Sequence, residues 1–343
     1  MKSLLLIAAL AAAPATGFAA ETCITQSQMN PAERDALAQA AASLASKIQA
    51  SDATSVKSLT IAEFQQDFTG MSNEIASTAP KLSGAQAQVE QLYILDASTL
   101  TKTASGANPD AQFFCSLNQS PAEAQFLIPQ LPPGKYAFAM VRMDSATPWR
   151  ISFLLRQDMV SGQPQWLLAG LYPKPLTALG HDGLWYWKQA RALSTGTGAA
   201  KEPWNAWLYY QEAQSLLQPA NFVASSHFDK LQAELGAAVP PAISGGIGAD
   251  SPLVVKAADG TEFRFTALTV EDYRGGDKID VAAHIKVDSV ADNAATRKLN
   301  VAAISALVAA HPELRKAFHG VWVFADAPGQ APYATALAMN EIK

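Results

Sequence analysis

The sequence predicts an α+β fold in which helices and strands occupy separate stretches of the chain. Three observations carry this. Between residues 86 and 172 the apolar period is that of strands, with six short runs rich in β-branched and aromatic residues. Helical spacing is confined to the stretches before and after those runs. Beyond residue 252 a second group of elements reads β-β-β-α-β-β, one helix on one face of an antiparallel sheet.

Taken in order, the first residues have the layout of a secretory signal. Lys2 supplies the charge, residues 4–13 the apolar run, and Gly17-Phe18-Ala19 a small-x-small cleavage site. Cleavage near Ala19 would leave 324 of the 343 residues, with 24 cations against 30 anions, a balance of −6. The apolar run is too short to span a membrane, and no later stretch is long enough, so no transmembrane segment is expected. The expected location is the periplasm or the extracellular medium. Ala20-Glu21-Thr22 before Cys23 does not resemble a lipobox. A mildly acidic chain without clustered Lys and Arg excludes nucleic acid as a partner class. Cys23 and Cys115 would both face an oxidising compartment, where a structural disulfide between them is the favoured reading and two unpaired thiols the alternative.

Asn30-Pro31 opens the first helix, with Asn as N-cap and Glu33 in the first turn, and the helix runs to about Gln49. Residues 58–71 and 72–78 read as further helix, broken near Gly70. The six strands are expected at 89–95, 112–117, 124–128, 136–144, 149–157 and 165–172. Asn-Pro, Ser-Pro, Pro-Pro-Gly and Thr-Pro turns separate them, which predicts one six-stranded antiparallel sheet with helices on its N-terminal side.

Residues 181–217 are the densest aromatic stretch. Four of the seven tryptophans, Trp185, Trp187, Trp204 and Trp207, lie there with Tyr186, Tyr209 and Tyr210. We read two helices joined by a loop at 194–203. Ala206, Tyr209, Tyr210, Ala213, Leu216 and Leu217 form the stripe of the second, with Trp204, Trp207 and Leu208 off it. A helix apolar on most sides is buried on more than one. A third helix follows at 228–235, capped by Ser225 or Ser226, then a Pro- and Gly-rich linker at 236–252. The last unit, 253–343, has a hairpin turning at Asp259-Gly260, a strand at 279–287, a helix at 294–310, a short helix at 312–318, and strands at 321–325 and 333–339. The expected division is therefore 1–19 signal, 20–180 first α+β domain, 181–235 aromatic helices, 236–252 linker, and 253–343 second α+β domain.

Two helices followed by a curved antiparallel sheet ending in WRISFLL and QWLLAGLY resemble the cystatin or NTF2-like cone, over about residues 31–175. That likeness is of topology alone. The phrases FFCSLN, GHDGLWYW, WNAWLYY and HPELRKAFHGVWV resemble a group of uncharacterised secreted proteins of acidobacterial-type soil bacteria. This second resemblance implies a signal peptide, an extracytoplasmic address and a two-part layout, and brings no activity with it.

No arrangement of residues names a reaction. His181-Asp182 lacks the further ligands of a metal phosphohydrolase and reads as a helix start. His311 and His319 bracket a short helix and read as helix-end residues; His227 and His284 stand alone. Gly196-Thr197-Gly198 with Lys201 and Gly245-Gly246-Ile247-Gly248 both fail the spacing of a phosphate loop. Glu271, Asp272, Asp277 and Asp280 lack the spacing of a calcium loop, and no Gly-x-Ser-x-Gly elbow is present. No catalytic residue, metal or cofactor is expected. Within a cone, Tyr93, Asp96, Tyr136 and Asp144 are the polar strand residues to inspect, with both aspartates expected in solvent. The reading is a non-enzymatic binding or scaffold protein for a small apolar ligand or a protein partner. Its site would be a first-domain cavity or the aromatic residues Trp185, Trp187, Trp204, Trp207 and Tyr210. The alternative is an NTF2-like hydrolase or isomerase using a cavity carboxylate or Tyr.

Overall fold

In the computed structural model, residues 22–116, 123–195, 202–271 and 278–343 are described. The expected signal segment, residues 196–201, and Asp272 and Asp277 with their glycines lie outside them. The chain opens with β1 (Thr22–Thr25), α1 (Pro31–Gln49), α2 (Ala53–Ser58), α3 (Ala62–Gln66) and α4 (Thr69–Thr78). The strand region follows as β2 (Gln86–Asp96), β3 (Ala111–Ser116), β4 (Glu123–Ile128), β5 (Lys135–Asp144), β6 (Trp149–Val160) and β7 (Gln163–Pro175).

A five-stranded antiparallel sheet, in the order β1-β2-β5-β6-β7, is the frame of this half. Helices α1, α2 and α4 pack on one face of it. The Asn30 side chain accepts from Ala32 N at 3.0 Å and Pro31 begins α1. Leu37, Ala41, Leu44 and Ile48 then follow helical spacing onto Leu92, Ile94, Ala139, Val141 and Phe153. The expected break near Gly70 falls at Asp67 and Phe68, between α3 and α4, with Gly70 just inside α4; residues 59–61, expected as helix, are not helical. There Leu59 O and Ile61 N bond Leu168, which satisfies backbone groups on the outer edge of β7.

All six expected strands form, but they divide between two sheets. β3 and β4 pair with each other and with β10 (Val223–Ser225), in the order β10-β4-β3, and cover the face opposite the helices. Strand alternation explains how one sheet serves two cores. Leu92 and Ile94 of β2 point to the helices, whereas Tyr93 and Leu95 join Tyr136, Phe138 and Leu154 against Phe113, Phe126 and Ile128 of the smaller sheet. Cys23 lies opposite Leu95, so it faces the smaller sheet, and it is disulfide-bonded to Cys115 of β3.

The two-residue strands β8 (Thr177–Ala178) and β9 (His181–Asp182) lead into α5 (Gly183–Thr195) and α6 (Pro203–Leu217). After β10 comes α7 (Ser226–Ala237), capped by the Ser225 hydroxyl, which accepts from Phe228 N. β11 (Leu253–Lys256), β12 (Glu262–Glu271), β13 (Asp280–Lys286), α8 (Asn293–Ala310), α9 (Leu314–Ala317), β14 (Gly320–Asp326) and β15 (Tyr333–Ala338) complete the chain. The last five strands form one sheet in sequence order. It is mixed rather than antiparallel, because β13 and β14 run parallel with α8 as the crossover between them. The buried Asn300 of α8 donates to Val323 O, Tyr333 O and the Thr335 hydroxyl, fixing the helix over β14 and β15. Ile243, inside the stretch read as a linker, is buried in the core of this half.

Candidate functional site

The aromatic helices are part of a core shared with the C-terminal sheet. Trp187, Trp204, Trp207 and Tyr210 are buried, and Trp185 is half-buried with its ring stacked 3.8 Å from His181. Trp204 lies edge-on to Trp207 at 6.0 Å and 4.3 Å from the His311 ring. Tyr209 donates to Ala317 O at 3.0 Å, which ties α6 to α9. Glu234 of α7 accepts from Trp187 Nε1 at 2.7 Å and from Arg191 Nε and Nη2 at 2.7 and 2.8 Å. Arg191 holds the Glu234 carboxyl below the usual carboxylate range. These contacts join α5, α6 and α7 and leave little tryptophan surface for a partner.

Concave space lies instead between the two N-terminal sheets. The connection from α6 to β10 sends Phe222 into that space, edge-on to Phe138 at 5.6 Å and Tyr172 at 5.2 Å. Phe222 lines a cleft of about 730 Å3, floored by Leu154, Ala169 and Tyr172. Phe64 and Leu127 stand at its edge, 44% and 46% exposed. A second pocket of about 230 Å3 is walled by Tyr93, Phe126, Phe138 and Met140, with Val223 and Phe228 across from them.

The larger cleft has one charged group of substance. Arg156 donates to Glu63 through Nη1 and Nη2, at 2.8 and 3.0 Å, and to Asp158 through Nε and Nη2, both at 2.7 Å. Asp158 first, and then Glu63, hold the guanidinium above its usual range, and Arg156 in turn holds Glu63 below the usual carboxylate range. Burial pushes the Tyr136 and Tyr172 phenols up, and Tyr136 donates to Pro132 O at 3.0 Å. A carboxylate with a lowered pKa and phenols with raised ones are poor proton carriers near neutral pH.

No protein-family model, curated protein or solved structure matches this chain.

The remaining candidates separate cleanly. Tyr93 is buried in the smaller pocket, where burial pushes its phenol up to about 12. Asp96 accepts from Ser98 N at the end of its strand, and Asp144 pairs with Arg142. Asp182 caps α5 by accepting from Trp185 N at 2.8 Å. His311 ends α8, and burial pulls its pKa down. His319 is more than a helix-end residue: its Nδ1 lies 3.1 Å from Asp280, which also accepts from Trp322 Nε1 at 2.8 Å. Asp280, one of the four acidic residues that lack calcium-loop spacing, is 1% exposed. His284 likewise has a carboxylate partner, Asp326, at 2.9 Å. Among the described residues no three His, Cys, Asp or Glu side chains gather into a metal site, and no helix is long and apolar enough to cross a membrane.

Sequence reasoning missed Phe64, Leu127, Arg156 and Phe222 as site residues. Leu127 carried a signal, as a large apolar residue near the turn at 129–130, whereas Phe64 sits inside α3 and its spacing read as the buried face of a helix. Nothing local marked Phe222, which reaches the sheet from 50 residues beyond Tyr172 in sequence.

Proposed function

We propose that the protein is an extracytoplasmic, non-enzymatic binding protein that holds a small uncharged apolar molecule in the larger inter-sheet cleft. One observation carries this reading. Phe64 and Leu127, from separate elements, expose their side chains at the edge of the same apolar cleft. Its volume falls within the range of small-molecule sites, roughly 300–1,000 Å3. Arg156 is already shared by two carboxylates, so the edge carries one excess negative charge and disfavours an anion. The disulfide fits an oxidising compartment. The signal-like first residues and the phrases resembling secreted acidobacterial-type proteins support the same address.

The test is titration of the mature, oxidised protein with N-phenyl-1-naphthylamine, a neutral apolar dye whose emission rises on leaving water. Saturable binding is expected, and Leu127→Asp should abolish it while leaving the fold intact by circular dichroism. Leu127 is exposed, so the substitution costs the core little. Binding that is absent in the natural protein, or unchanged in Leu127→Asp, would remove the cleft from consideration.

A further inference from the structure

The smaller pocket has a different character at its mouth, and this sets it apart from the larger cleft. Its walls are apolar, but Arg150 and His227 also line it. Strand register explains why Arg150 is not alone. Arg142 of β5 lies opposite Arg150 of β6, and Arg150 lies opposite Lys174 of β7, so three cations stand side by side on one face of the sheet. Glu90 reaches Arg142 and Arg150, and Asp144 reaches Arg142. The row therefore keeps one excess positive charge. Lys174 is half-buried and has no carboxylate partner among the described residues, and burial pulls its pKa down. Arg150 gives only its Nε to Glu90, at 3.1 Å; no hydrogen bond from its Nη atoms is made among the described residues.

A second basic surface adjoins. His227 also lines a cleft of about 340 Å3 between α5 and α7, together with Lys188, Arg191 and Lys230. Among the described residues Arg191 is the one ion-paired there, by Glu234, which Lys230 also reaches electrostatically. In a chain with a net charge of −5, the mouth of this pocket is bordered on two sides by uncompensated cations. One row deeper than Arg150, the fully buried Ser152 lies opposite Met140, a residue of the pocket wall. Its hydroxyl has no hydrogen-bond partner among the described residues.

We propose that this pocket is a second binding site, which takes an apolar monocarboxylate. The hydrocarbon part would lie against Phe126, Phe138 and Met140, and the carboxylate would meet the free Nη edge of Arg150. The volume of about 230 Å3 suits this, since an apolar cavity of roughly 150 Å3 accommodates benzene. A guanidinium presents paired donors in the geometry a carboxylate accepts. The unpaired lysines add long-range attraction that salt would weaken.

The test is calorimetric titration, at low ionic strength, of the mature, oxidised protein carrying Leu127→Asp, which removes the site for neutral molecules, with sodium octanoate and with 1-octanol, its uncharged counterpart. Octanoate should bind at least roughly tenfold more tightly than octanol, as hydrogen bonds to a charged group imply. Arg150→Met keeps the apolar stem and should bring octanoate down to the affinity of octanol, which itself should not change. Should Arg150→Met fail to fold, Lys188→Gln with Lys230→Gln, both exposed, decides the matter. That double variant should weaken octanoate severalfold, flatten its salt dependence and leave octanol untouched. Leu127→Asp separates the two sites, because it closes the larger cleft and should leave octanoate binding intact. Equal affinities for octanoate and octanol would overturn the proposal. So would loss of octanoate binding in Leu127→Asp, or its persistence at full strength when the cations are removed.

Discussion

The disulfide gives the sharpest quantitative expectation. Cys23 and Cys115 are 92 residues apart, and their bond closes a loop containing α1–α4 and β2. In the chain-entropy model a closed loop of that length lowers the entropy of the unfolded chain by about 16 cal/mol/K, or about 4.6 kcal/mol at 25 °C. Native strain and residual structure in the unfolded chain reduce such values, so a loss of about 2–5 kcal/mol on breaking the bond is expected. Reduction by a thiol reagent is the clean perturbation, because it leaves both side chains in place. The assay is urea unfolding of oxidised and reduced protein, followed by tryptophan fluorescence and by far-ultraviolet circular dichroism. The location of the effect matters as much as its size. Cys115 belongs to the core between the two N-terminal sheets, whereas the aromatic helices and C-terminal sheet share a separate core. If unfolding proceeds in stages, only the transition of the N-terminal half should move to lower urea. Coincident midpoints for the two redox states would refute the loop argument. A shift confined to the C-terminal transition would refute the assignment of cores.

Three further expectations follow from single contacts. Trp207 is 7% exposed, so Trp207→Ala should cost about 3–5 kcal/mol in a thermal or urea melt, whereas the half-buried Trp185 should cost clearly less; equal losses would mean the two are not packed as described. A methyl at Gly320 would stand 2.5 Å from the Leu337 carbonyl oxygen, so Gly320→Ala should destabilise the protein by about 1–3 kcal/mol or more, and an unchanged melting temperature would count against the β14–β15 register. Arg191 lowers the pKa of Glu234 in the folded state, so the stability this pair provides is present above the ordinary carboxylate value of 4.5 and is lost as pH falls through the lower folded value. Urea midpoints measured across that acidic range should fall less steeply for Glu234→Gln than for the natural protein; parallel curves would remove the pair as a cause.

How much of this was legible follows from the range over which each interaction acts. The strands were legible because alternation is a local property, written within a few residues of Leu92, Tyr93, Ile94 and Leu95. Their division into two sheets was not, because partner choice depends on segments far away in sequence. β4 finds its second partner in β10, about 100 residues later. The burial of α6 was legible for the opposite reason: Trp204, Trp207 and Leu208 lie outside the apolar stripe, so at least two faces needed cover, and α5, α7 and the C-terminal sheet provide it. The parallel pairing of β13 and β14 was missed because a β-α-β segment is compatible with either direction until the helix is placed. The non-helical stretch at residues 59–61 was missed because its cause is the edge of β7, more than 100 residues away in sequence.

The basic row is the most instructive case. Arg142, Arg150 and Lys174 are separated by 8 and 24 residues, and along the chain none of them belongs to a cluster. They become neighbours only through two successive strand registers, one of which includes a bulge between Leu154 and Leu155. Because side chains alternate with a period of 2, a one-residue slip of β6 would carry Arg150 to the helix-facing side and bring Ile151 or Trp149 to the pocket. Such a slip would also drive Phe153 and Leu155 out of the core they share with α1. The apolar packing of the helix face therefore fixes where the cations stand on the other face. On that argument, the charge at the pocket mouth is held in place by residues that never approach it.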